Sequence, residues 1–256
     1  MEQIIPAPDF LLELAQHPVL NLAWPVEVCV VEDDDIGIMS DADEQWHRIY
    51  ADPQRMEHWQ GYRPAWVHEL AHATLAEKID PVFSCVLLAE GHGSEPHQLQ
   101  EQEEGLFLNC WQLVDIWVDD LMVQVDPRLK THDLTLFSSA LSHFAQVQDY
   151  DRLTEYRTIM GIAMALAECD RHGIDPAPFE RYANLYPEKS ESDRIIREMS
   201  ELYRSLGTLS NDPEQSITAL EDAVQRAACI VRLKRHPRII TENGKKVWLL
   251  EVKSST

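Results

Sequence analysis

Apolar and polar positions follow two different rhythms along this chain. From Trp24 to Val31, "WPVEVCVV" alternates with a period near two and is rich in β-branched residues, which predicts a strand. The acidic "EDDDIG" turns the chain, and "IGIMSD" and "QWHRIYAD" predict further strands, although the second could equally open a helix. A short helix over Phe10–Gln16 comes before them. From Pro64 to about Ile79 the rhythm becomes helical: Val67, Ala71, Leu75 and Ile79 recur at i+4 as a core stripe, and Pro64 suits a first turn. Asp80-Pro81 stops that helix. "VFSCVLLAE" then reads as a strand or buried run and "GHGSEPHQLQEQEEG" as a polar loop. A second strong helix follows from about Leu106 to Val125.

Onward to Leu233 the pattern is almost entirely helical, through "LTLFSSALSHFAQV", "LTEYRTIMGIAMALAECDRHG", "ESDRIIREMSELYRSLG" and "SITALEDAVQRAACIVRL". Gly173 and Gly207 stand at C-cap positions, and Asn211-Asp212-Pro213 opens the last helix. Asn243-Gly244 between two β-rich runs, "RIITENGKKVWLLEV", predicts a hairpin. The expected fold is α+β and mainly helical: a small N-terminal sheet packed on the helix at 64–79, then a helical bundle, then the hairpin. The expected division is residues 1–130 and 131–256.

Composition narrows the class. A chain of 256 residues, 45 % hydrophobic and 26 % charged, is an ordinary globular protein, and it has no apolar run near the roughly 20 residues of a bilayer span. Its N-terminus carries Glu2 where a secretory signal would be basic, and Pro6 breaks a short apolar stretch, so a cytoplasmic location is expected. Cys29, Cys85, Cys110, Cys169 and Cys229 are scattered without CxxC spacing, which signals neither a disulfide framework nor a thiolate zinc cluster.

The net charge of -22 disfavours phosphate backbones as partners of the whole body. The exception is the stretch from Gln225 to Thr256, where eight basic residues face Glu242 and Glu251. This basic end either folds back on the acidic body or docks an acidic partner or nucleic acid. The acidic run Glu32–Asp35 with Asp41, Asp43 and Glu44 lacks the glycine and spacing of a calcium loop, and reads as a solvated turn.

The chemistry concentrates in "WVHELAHATLAE". Two histidines four apart on a helix, His68 and His72, project from one face and can meet one metal at about 2.0–2.1 Å. Glu69 is rotated by about 100° from His68, too far aside to ligate beside the pair but close enough to hold a water on the metal and take its proton.

"HELAHA" resembles the active-site helix of zincin metallopeptidases, a resemblance that extends more loosely over Trp24–Leu129. It implies His68 and His72 as zinc ligands, Glu69 as the catalytic carboxylate, Zn2+ as the cofactor, and hydrolysis of a peptide bond in a protein or peptide substrate. The third ligand separates the branches. A metzincin would carry a histidine where Lys78 stands. A pattern similar to SprT-like proteases is offered by His92-Gly93, but those proteins act on DNA-bound targets, which suits a chain of charge -22 poorly. A pattern similar to thermolysin-like gluzincins, the ImmA/IrrE family and putative metallopeptidases linked to VWA domains places an acidic ligand on a later helix.

In "WQLVDIWVDDLM" that pattern corresponds to Asp115 as ligand, an aspartate where many of these families use glutamate, with Asp119 holding a histidine N–H. The plainer alternative makes Asp115, Asp119 and Asp120 the wet face of an amphipathic helix. His58, His97, His132 and His143 are scattered and read as solvated or capping residues. Tyr150, Tyr156 and His132 are available as oxyanion donors without any of them being singled out. Two other functions compete: a non-catalytic zincin-fold regulatory or binding module, and a helical protein in which HELAH is coincidence.

Overall fold

The computed structural model describes residues 3–32, 36–89, 97–144 and 151–252. In chain order the elements are β1 (Gln3–Pro6), α1 (Asp9–Ala15), β2 (Val26–Val30), β3 (Gly37–Asp41), β4 (Trp46–Ala51), α2 (Pro53–Glu57) and α3 (Arg63–Lys78). They continue as α4 (His97–Trp111), α5 (Asp115–Val125), α6 (Pro127–Phe144), α7 (Arg152–His172), α8 (Ala177–Ala183), α9 (Glu191–Ser205), α10 (Pro213–Ile230), β5 (Arg235–Glu242) and β6 (Lys245–Val252). The fold is α+β and mainly helical, with a small mixed sheet and a C-terminal hairpin. No described helix is long and apolar enough to cross a membrane.

The chain forms two compact units built from discontinuous stretches. The first holds Met1–Leu87, Trp117–Asp133 and Ser210–Ile217; the second holds Leu88–Ile116, Leu134–Leu209 and Thr218–Thr256. The boundary passes through α5 just after its first two residues, so Asp115 opens a helix whose later turns belong to the first unit.

In the first unit the sheet order is β1-β2-β4-β3, with β2 and β4 parallel and the other two pairs antiparallel. The alternation in "WHRIYA" becomes an alternation of burial: His47, Ile49 and Ala51 face inward from β4. α3 packs against β3 and α1. Its buried set is wider than the expected stripe, because Trp66, Leu70, Ala73, Thr74 and Ala76 join Val67, Ala71 and Leu75. A helix buried on most sides cannot show a clean amphipathic period.

The C-terminal half of α3 is tied to the sheet by a polar staple. The Glu77 carboxylate accepts the backbone N–H groups of Ala23 (2.9 Å) and Trp24 (2.9 Å) and pairs with His47 Nε2 at 3.2 Å. His47 Nδ1 lies 2.8 Å from Ser40 Oγ. A carboxylate only accepts, so His47 donates from Nε2 and its Nδ1 receives the Ser40 hydroxyl. Burial pushes the His47 imidazole below its ordinary value, against the pull of Glu77. Burial alone would raise Glu77; the N–H groups of Trp24 and Ala23, with His47, outweigh it and hold the carboxyl low.

In the second unit α7 packs against α9, α8 and α4. Asp151 caps its start by accepting Thr154 N–H at 2.8 Å, and Gly173 closes its end in the left-handed region (φ 67°). The hairpin turn uses Asn243 and Gly244 at φ 51° and 82°, the pair of positive angles that a type I′ turn requires. Trp248 of β6 is fully buried, edge-on to Phe107 of α4 at 5.3 Å.

Several expected elements take a different form. Of "VFSCVLLAE", expected as a strand or buried run, Val82, Phe83 and Ser84 are buried, but its described residues form no strand: Asp80 accepts Val82 N–H and starts a 3-10 turn at Pro81–Phe83, and Leu88 makes an isolated bridge to Trp248. The polar stretch from His97 to Gly105 is helical, as its Gln and Glu content favours, and the single helix expected to Val125 is broken by a 3-10 turn at Gln112–Val114. Gly207 is not a left-handed cap, since α9 ends on an extended Leu206. Neither β1 nor α8, both short, had a periodic signal long enough to read.

Candidate metal centre

α3 brings His68 and His72 to one side, with ring centroids 4.9 Å apart and the rings at 73°. α5 contributes Asp115 as its first residue, and the ligand atoms of His68, His72 and Asp115 lie within 4.8 Å of one another. This group could hold a metal ion. Two bonds of about 2.0–2.1 Å at a tetrahedral angle separate their ligand atoms by roughly 3.3 Å, a separation that falls inside this limit. His68 is partly exposed, with 23 % of its side-chain surface open.

Each imidazole is oriented from behind. His72 Nδ1 lies 2.7 Å from the Phe83 carbonyl oxygen. A carbonyl can only accept, so the ring carries its proton on Nδ1 and its lone pair on Nε2. The Phe83 carbonyl is in place because Asp80-Pro81, which stops α3, folds the chain into the 3-10 turn beneath the helix.

His68 Nδ1 lies 3.4 Å from Asp119 Oδ1, which turns the lone pair of this ring to Nε2 as well. Asp119 comes one helical turn after Asp115 on α5. It is almost wholly buried, and its second oxygen is not left to desolvation: Lys130 Nζ, 3 % exposed, donates to Asp119 Oδ2 at 2.6 Å and to Asp133 Oδ2 at 3.1 Å. A buried ammonium and a buried carboxylate are tolerable only together, and Lys130 pairs with Asp119 on the side away from His68.

Glu69, partly buried, follows His68 on the same helix. His92 lies outside the described residues, as does Tyr150. Tyr156 is buried in the second unit beside Arg152, and His132 is exposed on α6. Asp120 is partly exposed. Of the acidic turn outside the centre, Asp41 accepts the N–H groups of Asp43 and Glu44 and so closes the β3–β4 connection.

Two members of the arrangement were not foreseen. The Phe83 carbonyl is a backbone group and carries no residue-type signal. Lys130 sits eleven residues beyond Asp119, across the proline that separates α5 from α6, and no helical period joins the two. A lysine just after a helix start with no compensating pattern looks like a surface residue until the packing is known.

No family model matches this chain, and neither the curated proteins nor the solved structures contain a match to it.

Proposed function

We propose that this chain is a zinc-dependent metallopeptidase of the zincin type, acting on a protein or peptide. The observation that carries the reading is the paired orientation of the imidazoles: Phe83 O behind His72 and Asp119 behind His68, with the Asp115 carboxylate beside them. An acceptor behind each ring is the arrangement by which metal-ligating histidines fix their tautomer and orientation. Two imidazoles and one carboxylate form a donor set that suits zinc in a catalytic site, where a fourth position stays open.

Zinc held there would supply a Lewis acid that polarises a carbonyl and lowers the pKa of a water molecule. Glu69 accepts the proton of the attacking water and delivers it to the leaving amine nitrogen. Asp119, paired with Lys130, stabilises the positive character of His68. The substrate has a natural place at β3: this strand is an edge of the sheet and packs on α3, so an extended peptide can add to it by main-chain hydrogen bonds.

The test is metal content by mass spectrometry combined with cleavage of a proteome-derived peptide library, on wild type and Glu69→Gln. One equivalent of zinc in both, with cleavage in wild type alone, is the expected result. Zinc absent from folded, supplemented wild type, or equal cleavage by Glu69→Gln, overturns the reading.

A further inference from the structure

The second unit contains a cavity of about 370 Å³. In a chain of net charge -22, four cations line it: Arg152, Arg232, Lys234 and Arg235. The two carboxylates among them are already engaged. Asp151 caps α7 through Thr154 N–H and Oγ1, and Glu103 accepts the Lys234 backbone N–H at 2.9 Å. The N-terminus of α7, a helix of 21 residues, adds the positive end of its dipole. Leu106, Leu153 and Val231 supply an apolar wall.

Arg232 is the informative residue. It follows α10 in the left-handed region, φ 58°, with Arg232 N–H bonded to Cys229 O and Leu233 N–H to Ala228 O. That is the Schellman closure of a helix, and its left-handed position favours glycine because a Cβ there is strained. An arginine held at that position is a local cost to the fold. It places a guanidinium, exposed and 3.6 Å from Glu191 at its nearest ion pair, at the cavity rim. The ammonium of Lys234, also exposed, has no ion-pair partner among the described residues.

We infer that this cavity is a binding site for a small organic anion, a phosphate or carboxylate group on an apolar body, with Arg152, Arg232 and Lys234 meeting the charge and the leucines and valine the body. The size is at the small end of ligand pockets, which fits a metabolite-sized molecule rather than a folded partner. Charge-assisted hydrogen bonds from arginine to an oxyanion are the strong kind, and a cationic cavity in an anionic protein concentrates the attraction. Three of the eight basic residues of the C-terminal stretch, Arg232, Lys234 and Arg235, thereby acquire a purpose.

The experiment is isothermal titration calorimetry on the full chain at low salt, with phenyl phosphate, phenylacetate and neutral benzyl alcohol as probes. Saturable binding of at least one anion, weakened about tenfold or more in Arg232→Gly and in Lys234→Ser and kept in His72→Ala, is expected. Arg232→Gly relieves the left-handed strain, so its thermal midpoint should be equal to or above that of wild type, which separates lost binding from lost folding. Tighter phenyl phosphate assigns a phosphate ligand, tighter or equal phenylacetate a carboxylate. No saturable heat from either anion up to about 10 mM, where a Kd of about 1 mM would register, overturns the inference. So does binding that both variants leave unchanged, that His72→Ala abolishes, or that benzyl alcohol equals.

Discussion

The ammonium of Lys130 lies 2.6 Å from Asp119 Oδ2, and both side chains are almost fully withdrawn from water. The other oxygen of the same carboxylate faces His68. One buried ion pair therefore stands behind one of the candidate metal ligands, and its removal should be felt twice.

Lys130→Met removes the ammonium from the buried Asp119 carboxylate, and should cost about 3–5 kcal/mol of stability by urea denaturation. Pairing it with Asp119→Leu should return most of that loss, since two apolar groups replace two charges. The double variant should still bind zinc about 10- to 100-fold more weakly than wild type, because His68 has lost its orienting acceptor. Full metal affinity in the double variant would show that Asp119 has no part in the site.

Zinc should raise the thermal midpoint of the wild-type protein. At a free concentration of about 100 times Kd the expected gain is about 2.7 kcal/mol, and His72→Ala should show none of it. Asp115→Ala should fall between the two, keeping two imidazoles but losing the anionic ligand. An unaltered zinc response in Asp115→Ala would remove Asp115 from the ligand set.

Acid should loosen α3 from the sheet in two steps. The folded-state value of His47 is lowered, so its contribution is complete above the ordinary histidine value of 6.5 and is lost as pH falls below it. Glu77 is also lowered, so its contribution is complete above 4.5 and is lost at more acidic pH. Both signs make stability rise with pH. Denaturation midpoints measured from pH 8 to 2 should fall, and His47→Gln should flatten the upper step while keeping the lower one. A flat profile in wild type would contradict the staple.

Gly244→Ala should destabilise the hairpin by about 1 kcal/mol, because residue 244 sits at φ 82° with open space around it, so the cost is backbone strain and not collision. Hydrogen exchange of β5 and β6 amides is the direct readout, and unchanged protection would argue against the type I′ turn.

Local patterns determined a good deal. The alternation in "WPVEVCVV" and "QWHRIYAD", the helix that carries His68, Glu69 and His72, the Asn243-Gly244 turn and the Gly173 cap are all written in neighbouring residues, because periods of 2 and 3.6 and positive φ are properties of the chain itself. The spacing of Asp115 and Asp119 is equally local, one turn of one helix. What meets that turn is not. The approach of Asp115 to the two histidines, the Phe83 carbonyl behind His72, the burial of Lys130 against Asp119 and the gathering of Arg152 with Arg232 and Lys234 round one cavity all join residues from different elements that no local period relates. Packing alone decides such pairs, since a charged side chain looks the same in sequence whether it ends in water or against a buried partner.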